Sequence, residues 1–236
     1  GIMRTAVDQT MESAKGLASH DREAVRVLTQ ALVLSGIAMD FSGNSRPASG
    51  AEHHQSHYWE MQFLFDGRPA VLHGTKVGIG TVLMLELYNM LAEMEKPDFV
   101  RLRKEISNRP SMEEWEREIR RCYRDGAEGI IALEKKAGKN GAESLLKRLS
   151  VMEEKWDEIS ALAKTAPKAS EISHVLELMG AAKVPADVGI PQGYVYDSIR
   201  YGKELRDRYT ILQFMWDLGK LDEAAEKLVE KYCKES

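Results

Sequence analysis

Val77-Gly78-Ile79-Gly80-Thr81-Val82-Leu83-Met84-Leu85-Glu86-Leu87-Tyr88-Asn89-Met90-Leu91 is the stretch on which the fold turns. Its apolar residues fall nearly all round a helical repeat, so the segment reads as a helix buried on most of its circumference. Such a helix serves as the central strut of a domain and needs other helices packed about it. The rest of the chain supplies amphipathic helical segments and scarcely any strand-like alternation. The expected fold is therefore all-α, a bundle of roughly ten helices. Gly74, Gly78 and Gly80 are poor helix residues, each costing on the order of 1 kcal/mol relative to Ala. Two explanations stand side by side: something approaches the backbone closely there, or helices touch through small residues.

Immediately upstream lies the chemistry. Gly43-Asn44-Ser45-Arg46-Pro47-Ala48-Ser49-Gly50-Ala51-Glu52-His53-His54-Gln55-Ser56-His57, with Leu72-His73-Gly74, holds four of the six histidines. With Ser49 as N-cap, a helix begins just after it, and residues four apart project from one face. His53 and His57 then point together and His54 is turned away, while His73 stands at the mouth of the strut helix. Convergent neutral imidazoles suit zinc, nickel or iron(II). Ser45, Arg46 and Ser49 precede a helix start, where free amides and the positive dipole end favour an anion such as a phosphate. An ordinary Ser/Pro/Gly connection is the plainer alternative for Asn44 to Gly50.

Further out, Met3, Val7, Thr10, Ala14 and Leu17 share a helical face, broken by the Gly-Leu-Ala-Ser run from Gly16. Asp21 or Ser19 caps the next helix, whose Val25, Leu28, Leu32 and Ile37 to Met39 form an apolar stripe leading to the histidines. Beyond Lys96-Pro97 the composition shifts toward charge, with three or four helices expected over 98–165 and more after Pro167. A single all-helical domain over 1–236 is expected, its site half about 1–95 and its charged helical remainder about 96–236. Arg206 and Arg208 are able to reach a cleft, but a solvent-facing ion pair is the preferred reading.

With 43% hydrophobic and 30% charged residues, the chain reads as soluble and globular, and its length allows a substantial core. A formal net charge of -4, with no basic stripe between aromatics, argues against nucleic acid. Cys122 and Cys233 are too few for a disulfide framework and favour a reducing, cytoplasmic setting. No signal peptide is read at the start, and no apolar run is taken as long enough to cross a bilayer.

Ser35-Gly36-Ile37-Ala38-Met39, Ser45-Arg46-Pro47-Ala48-Ser49-Gly50-Ala51-Glu52-His53 with His57, and Leu72-His73-Gly74 with Val77-Gly78 resemble the C-terminal domain of sn-glycerol-1-phosphate dehydrogenase. That family is related to iron-type alcohol dehydrogenases, glycerol dehydrogenase and dehydroquinate synthase. Arg206-Asp207-Arg208-Tyr209-Thr210-Ile211-Leu212 and Asp217-Leu218-Gly219 are similar to its bacterial branch. The resemblance implies a dehydroquinate-synthase-like helical domain and reversible hydride transfer between NAD(P)H and dihydroxyacetone phosphate, giving sn-glycerol 1-phosphate. It further implies a divalent metal held by two histidines and an aspartate, acting as a Lewis acid. By motif, His53 and His73 match the metal ligands, His57 a histidine either supporting the ligands or at the substrate side and taken as catalytic, and Ser45, Arg46 and Ser49 the phosphate contacts.

The sequence departs from the family pattern. Asp8, Asp21 and Asp40 are the only aspartates before Asn44, and none sits in the ligand motif. A Gly-rich nucleotide-binding turn is missing too. The expectation is a C-terminal half lacking its N-terminal nucleotide-binding domain and inactive alone. NAD against NADP, zinc against nickel or iron, and monomer against homodimer stay open. The other readings are a stand-alone helical module binding an anion or metal, and a dehydroquinate-synthase-like cyclase domain.

Overall fold

A computed structural model describes residues 2–233, and every regular element among them is helical. The α-helices are α1 (Ile2–Glu12), α2 (Ala14–Ala18), α3 (Arg22–Ser42), α4 (Ala51–Phe65), α5 (His73–Glu93), α6 (Phe99–Lys104) and α7 (Met112–Tyr123). They continue as α8 (Ala127–Ala137), α9 (Ala142–Glu154), α10 (Trp156–Ala163), α11 (Ala169–Leu178), α12 (Gln192–Tyr201), α13 (Ile211–Asp217) and α14 (Leu221–Tyr232). The all-α expectation holds, but the helices are more numerous and shorter than pattern reading suggests. Residues 98–165 carry five of them, α6 to α10, because Arg124-Asp125-Gly126 and the Lys155 junction divide runs that periodicity alone would join.

α5 is the strut. Ile79, Val82, Leu83 and Leu87 are fully buried on it, and α4, α10, α11, α13 and α14 all pack against it. Gly80 serves these contacts. A Cβ on Gly80 would lie 2.8 Å from the Glu52 backbone oxygen, so α5 crosses the first turn of α4 at a distance only glycine permits. Gly78 faces the Leu176 side chain of α11, while Gly74 looks into open space. Close helix contact thus accounts for Gly80, whereas a Cβ on Gly78 would meet Leu176 at an ordinary 3.5 Å.

The core is one cluster, running from Ala51 through Tyr58, Trp59 and Tyr123 to Val229 without a break near residue 96. Two partly buried ion pairs tie its C-terminal helices together. Arg121 grips Asp197 through two bonds of 2.7 Å, and Arg148 grips the fully buried Asp217 at 2.6 and 2.8 Å. Bidentate pairing of this kind matches the planar guanidinium fork to the two carboxylate oxygens.

Among the described residues, none before Ala51 belongs to that core. The only buried side chains on α1, α2 and α3 are Ala6, Ala14, Ala24 and Ala31. Asp21 caps α3 as expected, accepting from the Ala24 amide at 2.9 Å. The apolar stripe of α3, however, is not packed: Val25, Leu32, Val33, Ile37 and Phe41 are all exposed. The reading that no run could cross a bilayer also needs correction, since the 21-residue α3 contains an 18-residue window of mean hydropathy 1.4, enough by length and composition. The charges at Arg22, Glu23, Arg26 and Asp40 had masked it.

Candidate metal centre

α4 carries one polar face inward and another outward. The inward face is fastened to α12 by a closed set of bonds: Gln55 Nε2 donates to the Ser198 carbonyl at 2.8 Å, Ser198 Oγ donates to Gln55 Oε1 at 2.6 Å, and Trp59 Nε1 donates to Ser198 Oγ at 3.1 Å. With that side fixed, His53, His57 and Glu60 share the opposite face, at spacings of four and three residues. α5 brings His73 to the same place from its own N-terminus.

The three rings converge. Their centroids lie 6.4 Å apart for His53 and His57, 5.2 Å for His53 and His73, and 5.4 Å for His57 and His73. His54, one residue on, is turned into the protein and is 2% exposed. The tightest set of ligand atoms comprises His57, Glu60 and His73, all within 4.8 Å of one another. Glu60 was not singled out from the sequence, although its place seven residues after His53 puts it on the histidine face. His73 is exposed and the others half-buried, so the cluster opens to solvent.

Neighbouring groups orient the rings. Glu52 Oε1 lies 2.7 Å from His53 Nδ1, Ser56 Oγ lies 3.2 Å from His73 Nδ1, and Glu60 Oε2 lies 3.6 Å from His57 Nδ1. An Nδ1–H turned toward such an acceptor leaves Nε2 unprotonated and free to ligate. Burial, with His73 close by, pushes the His57 pKa down. A neutral ring is the form that binds a cation. Lys76, 1% exposed, sits 3.6 Å from Glu60 Oε1 and offsets its charge from below.

The predicted phosphate residues sit differently. Ser49 does not cap α4; Gly50 occupies that position, and no side chain caps it from there. Instead the Glu52 carboxylate reaches back and accepts from the Gly50 amide at 2.7 Å. A carboxylate already occupies the positive end of the helix, where a bound anion had been expected. Ser45 and Arg46 are exposed around a short 3-10 turn at Arg46–Ala48, and Ser49 is half-buried.

The expected ion pairs of Arg206 and Arg208 are absent among the described residues. Arg208 donates to the Ser49 carbonyl at 2.9 Å, bridging the loop after α12 to the approach of α4. Both arginines act on His54, whose pKa falls to about 4, chiefly through burial and then through Arg208. The positive charge of Arg206 also reaches His57.

The sequence of this site has known counterparts. Glycerol-1-phosphate dehydrogenase (NAD(P)+) of Geobacillus stearothermophilus is 34% identical over 220 residues, and that of Halalkalibacterium halodurans 30% over 211. This chain is a relative of the glycerol-1-phosphate dehydrogenases. It aligns with their C-terminal part, spanning 43% and 42% of those two curated relatives while 92% and 89% of its own length is matched. The glycerol-1-phosphate dehydrogenase of Thermococcus kodakarensis is 45% identical over a shorter stretch of 80 residues. No family model matches the chain.

Proposed function

We propose that this chain is the metal- and substrate-binding part of an NAD(P)-linked sn-glycerol-1-phosphate dehydrogenase, which interconverts dihydroxyacetone phosphate and sn-glycerol 1-phosphate. The observation that carries the reading is the convergence of His53, His57 and His73 at 5.2 to 6.4 Å on one solvent-facing edge, in a chain related to enzymes of that name. Imidazole nitrogens with a carboxylate close by suit a divalent transition metal.

His53 and His73 hold the metal in this reading, and Glu60, within ligand distance of His57 and His73, is available to complete or support the set. A divalent zinc, nickel or iron bound there supplies Lewis-acid polarisation of a carbonyl. His57, neutral at ordinary pH, holds or releases a proton at the substrate oxygen as that oxygen passes between carbonyl and alcohol. Arg206 joins Ser45, Arg46 and Ser49 as a phosphate contact in this reading: its charge reaches His54 and His57, and no carboxylate pairs with it among the described residues. Arg208 fixes the loop on which Arg206 stands, through its bond to the Ser49 carbonyl.

The test is NADH- or NADPH-dependent reduction of dihydroxyacetone phosphate by the full-length protein, with metal content measured alongside. His53→Ala and His73→Ala should each remove bound metal and activity together. Full activity in both variants overturns the reading. The isolated chain should give no turnover, and reduction by it alone refutes that part.

A further inference from the structure

We propose that the solvent-facing side of α3 is the seat of the polypeptide that lies upstream of the matched part in the full-length relatives. α3 is the longest helix without a place in the core, a rank it would share with α5 were α5 not buried. Along its outward side Leu32 is 65%, Val33 58% and Phe41 80% exposed, with Val25 and Ile37 beside them. Its other side rests on α1 and α2, where alanines are the only fully buried residues and Val27, Leu28, Leu34 and Met39 are half-buried. Large apolar side chains left exposed together along one helix mark a surface that something covers.

The chemistry of the face selects another helix or domain of protein over lipid. Gly36 sits in mid-helix with open space where a Cβ would stand, an arrangement that weakens an isolated helix by about 1 kcal/mol. Flanked by Leu32, Val33 and Ile37, it forms a notch into which a neighbouring side chain or backbone can settle. Arg26, Gln30 and Asp40 are also exposed on the helix, giving polar groups suited to the hydrogen-bonding rim of a protein interface. An unpaired Asp40 would be costly in the hydrocarbon of a membrane.

What covers the face is indicated by the relatives. Their matched part is C-terminal and amounts to 42% and 43% of their length, so more than half of each lies outside it. α3 also leads, through Gly43 and the turn at Arg46–Ala48, directly into the helix bearing His53 and His57. Polypeptide seated on α3 is thereby carried to the open side of the imidazole cluster, where His73 is exposed and Leu72 beside it is 80% exposed. This proposal rests on the reading of the chain as part of a larger enzyme.

The test is thiol accessibility. Leu32→Cys and Phe41→Cys, each with Cys233→Ser, are compared with Val100→Cys on α6 as an exposed reference; the buried native Cys122 stays silent. In the isolated chain all three positions should react with maleimide at similar rates. In the full-length protein, positions 32 and 41 should slow at least tenfold while position 100 does not. Equal rates in the full-length protein overturn the proposal. So does a coding sequence with nothing upstream, or protection of the isolated chain that rises with its own concentration, which assigns the face to a second copy. Protection of the isolated chain by phosphatidylglycerol vesicles assigns it to lipid and overturns it equally. Labelling does not depend on turnover. A protected but inactive protein therefore removes the dehydrogenase reading and leaves the docking, whereas an active protein labelled at both positions removes only the docking.

Discussion

Glu60 faces both His57 and His73, and its charge is offset by the buried Lys76. If it steadies the metal rather than merely lining the site, Glu60→Gln should weaken zinc or nickel binding by roughly 10–100-fold, read by calorimetry. His54→Gln should leave that affinity unchanged, because the His54 ring is buried away from the cluster. Loss of affinity in the second variant and not the first would reverse the two assignments. At this scale the sequence was informative about direction and poor about membership. The four-residue spacing of His53 and His57 foretold their common face, since helix geometry alone sets it. Glu60 escaped because a glutamate on a charged helix carries no signal until a second helix brings His73 opposite. The cap of α4 was misplaced for a related reason: Ser49 reads as the N-cap, but Gly50 stands there and its amide is taken by the side chain of Glu52.

Elements differ in how much of their environment their own residues encode. α5 was legible because it is apolar on every side, and only a buried helix tolerates that. α3 has an equally clear stripe, yet periodicity states only that a face is apolar, never what lies against it. The crossing of α4 and α5 yields a direct test. Gly80→Ala brings a methyl group to 2.8 Å from the Glu52 carbonyl oxygen, which belongs to backbone and cannot swing aside. A loss of about 1–3 kcal/mol in urea denaturation is expected from that overpacking. Gly74→Ala on the same helix meets nothing, and should be neutral or add up to roughly 1 kcal/mol. Equal effects at the two positions would show that the close crossing is not what Gly80 provides.

Across the whole molecule, the least legible feature is a charged knot beneath Trp115 and Trp216. Lys203 and Glu204, adjacent in sequence and 2% and 1% exposed, bond to each other. Asn140 and Trp115 donate to Glu204 at 2.9 and 3.2 Å, and Lys139 lies 3.0 Å from it. Nothing in a Gly-Lys-Glu-Leu stretch announces burial, which is created by α4, α12 and α13 packing against it. Burial pushes the Glu204 pKa up, but Lys203 and Lys139 outweigh it and hold the carboxyl near 2 instead of 4.5. The folded value is depressed, so Glu204 contributes stability above pH 4.5 that drains away as pH falls toward 2. Glu204→Gln should cost about 3–5 kcal/mol near neutral pH by leaving Lys203 unpaired, and should flatten the acid limb of the stability profile. A variant as stable as the parent, with an unchanged acid limb, would contradict this account.

Because the core starts at Ala51, the first fifty residues and the rest of the chain need not melt together. Amide exchange in the isolated chain should reveal two tiers. Amides of α1 to α3 should exchange through a local opening of small free energy, and those of α5 only when the entire fold is lost. The imidazoles stand on the durable tier, at its very edge. They would keep their mutual spacing while the helices that lead to them come undone, so ligand access can be regulated there without dismantling the scaffold.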